Sequence, residues 1–302
     1  MSKILNQTFT LANGVKIPKI GLGTWLIDDD KVAATVHEAI NLGYRHIDTA
    51  EAYGNERGVG EGVRTCAVAR EEIFVTTKLR AEIKDYETAV AAIDESLQKL
   101  GLSYIDLMII HSPQPWTDFR EGEHFFEGNI AAWRALEAAY KAGKLRAIGV
   151  SNFECIDIEN ITANCEIKPM VNQVLSHIGN TPFELIDYCQ KAGILIEAYS
   201  PVAHGAILQN AQVADIAKGY GVSVARLCVR YCIELGLLAL PKTANAAHMR
   251  ENADVDFEIS PADMKILKQI APVENYGEAS VFPVFGGKLH KDGRLEAKNF
   301  KK

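Results

Sequence analysis

The sequence has no surplus of positive charge. Its 32 lysines and arginines are outnumbered by 39 aspartates and glutamates, giving a formal net charge of −7. A nucleic-acid-binding surface needs a basic patch or stripe, so no such partner is expected. The one locally basic stretch, from Lys288 to Lys302, is read as a solvated tail. Long apolar runs are also missing. None reaches the ~18 residues of a membrane-crossing helix, and MSKILNQTF lacks the apolar segment of a secretory signal. The six cysteines (Cys66, Cys155, Cys165, Cys189, Cys228 and Cys232) include no C-x-x-C pair and no nearby His-x-x-x-His. Zinc-type spacing is therefore absent and no metal is expected. A reduced, cytoplasmic protein is the simplest expectation. No G-x-G-x-x-G follows a strand-like run, and Gly21-Leu-Gly23 is too short to count, which disfavours a doubly wound dinucleotide fold.

What is present is a repeat of strand and helix. With 48% hydrophobic and 24% charged residues, 302 residues can bury a sizeable core. Eight short, β-branched apolar runs recur at 20–25, 45–50, 73–79, 105–112, 146–153, 170–174, 195–201 and 237–243. Most are continuous rather than alternating, as in parallel strands covered on both faces. Amphipathic helical patterns separate them at 28–43, 86–101, 129–143, 181–193 and 222–236, most ending at glycine. This α/β alternation predicts a (β/α)8 TIM barrel. Asn13-Gly14, between strand-like arms, predicts an N-terminal β-hairpin capping the closed end. From Pro272 a long C-terminal loop begins, whose Tyr276, Phe282 and Phe285 favour wrapping over the site. No linker interrupts the pattern, so residues 1–302 are read as a single domain.

Chemistry in such barrels sits at the C-terminal strand ends. There the sequence places Asp48 and nearby Tyr53 after the second strand, Lys78 after the third and His111 after the fourth. Singly, each has a plain explanation: Asp48-Thr-Ala-Glu51 fits a helix capping box, and Lys78 and His111 could be ordinary strand-end residues. Together they suit proton delivery to a carbonyl oxygen. A free phenol has a pKa near ~10, so Tyr53 needs a nearby cation to become a better acid, and Lys78 supplies one. Asp48 would pair with that ammonium, and His111 would hydrogen-bond and orient the substrate oxygen. The partner such a set lacks is a hydride donor.

The motifs GYRHIDTAEAYGNE (43–56), TTKL (76–79), LSYIDLMIIHSP (102–113), GKLRAIGVSNF (143–153), VNQV (171–174), AYSP (198–201) and PKT…REN (241–252) run in order along almost the whole chain. Through them the sequence resembles the aldo-keto reductases. That resemblance implies a barrel that reduces aldehydes and ketones to alcohols with NADPH, with Asp48, Tyr53, Lys78 and His111 as the catalytic tetrad. It implies that Ser151, Asn152 and Gln173 hold the nicotinamide carboxamide while Tyr199 stacks on the ring. It also places Thr24 in the cofactor site, Ser200 and Val202 near the pyrophosphate, Lys242, Thr243 and His248 near the adenosine 2′-phosphate, and Glu251 and Asn252 at the adenine.

Two positions depart from the family pattern. His248 stands where relatives often carry arginine, and a neutral imidazole lacks the permanent charge and bidentate fork of a guanidinium. NADPH with tolerance of NADH is therefore expected, since Arg250, two residues on, would face another way on a helix. Ser112 stands where relatives often have tryptophan, which would open one wall of the pocket. Trp25, Trp116 and Phe125 are the candidate substrate-pocket residues, with Phe125-Phe126 in an insertion long enough to form a lid. The expected protein is a monomeric reductase of a small carbonyl substrate, without membrane association. A non-catalytic nucleotide-binding regulatory subunit on the same fold is the alternative, and a Schiff-base lyase using Lys78 is a third.

Overall fold

The computed structural model describes residues 2–297. Strands β1 (Thr8–Thr10) and β2 (Lys16–Pro18) pair antiparallel around the predicted turn. Gly14 there has φ +85°, a left-handed conformation that favours glycine. Asn13 donates to the carbonyl of Arg146 just ahead of a barrel strand, so the hairpin covers the N-terminal end of the barrel.

Each of the eight apolar runs marks one barrel strand. These are β3 (Leu22–Gly23), β4 (His46–Asp48), β5 (Phe74–Leu79), β6 (Leu107–Ile110), β7 (Ile148–Ser151), β8 (Val171–Leu175), β9 (Leu195–Tyr199) and β10 (Leu238–Leu240). They form one parallel sheet in chain order. The ring closes where Ile20 bridges Ala239 and Gly23 bridges Lys242. β5 and β6 are buried at every position, the reason their sequences do not alternate.

The helices are α1 (Asp29–Asn41), α2 (Glu56–Thr65), α3 (Tyr86–Leu100), α4 (Phe126–Lys141), α5 (Cys155–Asn164), α6 (Phe183–Lys191), α7 (Ala211–Gly219), α8 (Val224–Glu234), α9 (Ala246–Ala253) and α10 (Pro261–Leu267). The five helical patterns in the sequence correspond to α1, α3, α4, α6 and α8. Their ends behave as the residues dictate: Asp85 accepts from the Thr88 N–H at the start of α3, and Gly101 closes it at φ +62°. Helix α2 escaped the sequence reading because Gly58, Gly60 and Gly62 lower its intrinsic propensity. Packing demands those glycines. A Cβ on Gly58 would collide with the Asp29 carbonyl of α1, and one on Gly60 with the Leu100 carbonyl of α3.

After α10 the chain crosses the C-terminal face of the barrel. Residues Gly277–Val281 and Pro283–Phe285 form short 3-10 turns, followed by the small hairpin β11 (Lys288–Leu289) and β12 (Leu295–Glu296). Tyr276 and Phe285 are buried, and the Tyr276 hydroxyl lies 3.0 Å from His177 Nε2. The wrapped course is thus the one present. The solvated-tail expectation holds in part from Lys288 to Glu296: the segment is an ordered hairpin whose Leu289 and Leu295 reach the rim of the cavity, yet most of it stays exposed, Leu295 at 39%. The last part of that stretch, 298–302, lies outside the described residues.

Candidate active site

Asp48 ends β4, Lys78 lies one residue from the end of β5, and His111 immediately follows β6. Parallel register therefore sets their heights. Lys78 Nζ donates to Asp48 Oδ1 at 2.6 Å and to the Thr49 carbonyl at 2.8 Å. Both side chains are almost fully buried, at 1% and 6% exposure. Nζ lies 4.9 Å from the centroid of the Tyr53 ring, whose edge meets His111 with centroids 5.7 Å apart. Asp48, Tyr53 and His111 line a cavity of about 310 Å³, while Lys78 stands behind the wall.

Tyr53 reaches this cavity through a tight turn. Glu51–Tyr53 is one turn of 3-10 helix, ended by Gly54 at φ +68°. Buried Asn55 fixes it, donating to the carbonyls of Thr24 and Ile27 and accepting from the Thr49 hydroxyl. Asp48 caps no helix. Its second oxygen accepts from Gln173 Nε2 at 2.8 Å, so the carboxylate is committed to the site. The capping-box reading is set aside.

The electrostatics match the expected charge on Lys78 and reverse the expected sign at Tyr53. Burial opposes the charge on Lys78, but Asp48, Tyr53 and Glu197 together hold its ammonium above the ordinary range. Burial, aided by Lys78, drives the His111 imidazole well below its usual pKa, so it is neutral and able to hydrogen-bond without adding charge. For Tyr53 the expected lowering is not met. Burial raises the phenol above its ordinary value, and Lys78 pulls it down by less than burial pushes it up. Lys78 offsets only part of the effect of burial on Tyr53.

A groove runs from this cavity along the ends of β9 and β10. Cavity and groove share Trp25, Ser200 and Lys242. At the inner end Asn152, with φ +61°, donates to the His111 carbonyl and accepts from the Tyr199 hydroxyl at 2.8 Å. Ser151 donates to the Gln173 carbonyl. Gln173 spends its amide nitrogen on Asp48 and Glu197, which leaves its oxygen as the group it can offer a ligand. Val202, Thr243, His248, Glu251 and Asn252 line the outer groove. Lys242 makes no ion pair among the described residues, and partial burial holds its ammonium below the ordinary range. A polyanion with an amide-bearing ring at one end fits this donor set. Ser151, Asn152, Gln173 and Tyr199 would take the ring, and Lys242 with Thr243 the phosphate.

Some expected members are elsewhere. Thr24 is fully buried, and its hydroxyl donates to the Asp48 carbonyl at 2.9 Å, so it supports β4 instead of facing the groove. Phe125 is outside the cavity lining, held at φ +53° immediately before α4. Ser112 is fully buried, and the wall it was expected to open is closed by Trp116, edge-on to His111 at 5.1 Å. Arg250 ion-pairs with Glu38 of α1 at 3.2 Å, facing away from the groove as its helical position dictates. The sequence reading missed Val284, Leu289 and Leu295 as cavity wall, and His204, whose ring meets both Trp25 and Phe285 edge-on. Aromatic density in the tail was the available signal. For His204 there was none.

Among the described residues no group of His, Cys, Asp and Glu could hold a metal ion, and no helix is long and apolar enough to cross a membrane. Residues 19–272 match the model of the Aldo/keto reductase family. The chain is 42% identical over 279 residues to a Bacillus subtilis protein named glyoxal reductase, covering 92% of this chain and 97% of that one. Among solved structures, an aldo-keto reductase from a Medee basin deep-sea metagenome library superimposes with a TM-score of 0.82 at 37% identity, over 87% of this chain and 94% of that one. A Bombyx mori aldo-keto reductase in complex with NADP gives a TM-score of 0.81 at 32% identity, over 91% and 95%. Strand ends, tetrad geometry and these likenesses agree: the chain belongs to the aldo/keto reductase family, an oxidoreductase on a (β/α)8 barrel.

Proposed function

We propose that this oxidoreductase reduces aldehydes and ketones to alcohols with NADPH, and accepts NADH to a substantial degree. The observation that carries the reading is the buried Lys78–Asp48 pair set behind Tyr53, beside neutral His111, at the inner end of a groove with an unpaired lysine. When bound, the reduced nicotinamide supplies hydride to the carbonyl carbon. Tyr53 gives its proton to the carbonyl oxygen, so one hydride and one proton convert the carbonyl to an alcohol. His111 holds that oxygen by hydrogen bond before transfer. Lys78 stabilises the phenolate left on Tyr53, and Asp48 keeps Lys78 charged. His248 in place of arginine, with Arg250 engaged by Glu38, supports relaxed cofactor choice.

Trp25, Trp116, Phe282, Phe285 and Leu289 give the cavity apolar walls, suited to uncharged carbonyl compounds. The likeness to a protein named glyoxal reductase makes small reactive aldehydes the first to try. We take residues 1–302 as one catalytic domain acting as a cytoplasmic monomer. Purified protein should oxidise NADPH when given a reactive aromatic aldehyde or glyoxal. Tight NADPH binding with no turnover across an aldehyde panel would instead favour a regulatory subunit. A borohydride-reducible adduct on Lys78 would favour the lyase.

A further inference from the structure

Glu197, at the centre of β9, is fully buried and has no part in the proton transfer just described. Its Oε2 accepts from Gln173 Nε2 at 2.7 Å, and the same nitrogen donates to Asp48 Oδ2 at 2.8 Å. Its Oε1 has no hydrogen-bond partner. The arrangement holds two carboxyl groups and one ammonium. Lys78 balances Asp48, and no second cation balances Glu197. The charged groups acting on it are Asp48 from β4 and Lys78 from β5, while its neighbours Gln173 on β8 and Leu238 on β10 do not titrate. Burial first, and Asp48 second, push this carboxyl up to about 8, so near neutrality it keeps its proton. Gln173, which lines the cavity, joins it to Asp48 by these two hydrogen bonds.

The following rests on the nicotinamide reading of the cavity. Oxidised nicotinamide carries a positive charge and the reduced ring does not. We propose that Glu197 is a positioning residue for Gln173 that also senses cofactor oxidation state, giving up its proton to solvent when NADP+ occupies the site and retaining it with NADPH. By linkage, the carboxylate form favours NADP+. Rising pH would then tilt the enzyme toward alcohol oxidation through this one group.

Calorimetric titration of each cofactor near neutral pH, in two buffers of different ionisation enthalpy, counts the protons released. Phosphate groups, Lys242 and His204 contribute alike for both cofactors. The informative quantity is therefore release with NADP+ minus release with NADPH. Wild type should show a positive difference, and its Kd ratio of NADP+ to NADPH should fall about tenfold as pH rises through the range where Glu197 ionises. In E197Q both effects should vanish. Glu197→Met serves the same purpose if the glutamine variant does not fold, and a wild-type-like difference in whichever variant folds would overturn the proposal. Failure of either cofactor to bind wild type would overturn the nicotinamide reading and this proposal with it.

Discussion

Lys78→Met removes the cation from an almost fully buried pair. At the observed 2.6 Å, an effective dielectric of about 20 gives a gross attraction of roughly 6 kcal/mol. Much of that is spent on desolvation, but losing one partner strands the other, and breaking a buried pair costs about 3–5 kcal/mol. That is a large part of the ~5–15 kcal/mol that holds a typical domain together. Urea denaturation of K78M should therefore show a clearly lowered midpoint. D48N/K78M removes both charges and should recover at least about half of the loss, since no uncompensated carboxylate remains. Activity should behave differently. Both variants lose the group proposed to stabilise the Tyr53 phenolate, so both should turn over at least about 100-fold more slowly. A double variant no more stable than K78M would refute the pairing argument. Recovery of turnover in the double variant would refute the role given to Lys78.

Three further outcomes are expected. Tyr53→Phe should reduce turnover by about 10²–10⁴-fold while cofactor affinity by fluorescence titration stays near wild type; retained turnover would remove Tyr53 as the acid. His248→Arg should raise the NADPH-over-NADH preference in kcat/KM by about tenfold, the scale of one charge-assisted hydrogen bond; wild type itself should prefer NADPH by less than about 100-fold, that preference then being read as an energy difference. Lys84, donating to the Ser112 carbonyl and the Asn129 side chain, is pushed down to about 7 by burial, against 10.5 ordinarily. Between those values the unfolded chain binds the extra proton, so Lys84 makes stability rise with pH by up to about 1.4 kcal/mol per unit. Urea midpoints of wild type and K84M across that window should diverge, the wild-type-minus-K84M difference rising with pH; a constant difference would refute the assignment.

The barrel was legible because strands covered on both faces must be apolar throughout, and eight such runs survive in the sequence. The tetrad was legible for a related reason: polar residues at the ends of apolar runs are conspicuous. What was lost follows from three-dimensional environment. Thr24 is as polar as any groove residue, but its hydroxyl is spent on the Asp48 carbonyl. Tyr53 has a cation beside it, as the sequence implied, yet the larger effect is burial, which no local pattern reports. Glu197 sits in LIEAYSP as one carboxylate in an otherwise buried run, a signal present in the sequence and passed over. The glycines of α2 disguised a helix because tertiary packing chose them against propensity.

The ring closure sets an order of events during synthesis. Lys242, the unpaired lysine of the groove, lies against Gly23 across the seam that joins the last strand to the first. The groove wall therefore comes from residues more than two hundred positions apart, and the contacts that form it require the whole intervening barrel. Until β10 is made, β3 presents an open edge, the sort of surface that recruits other strands. On the proposed cofactor reading, capture would then double as a certificate of completion: a truncated or half-folded chain would lack the closed seam and with it the place proposed for the phosphate.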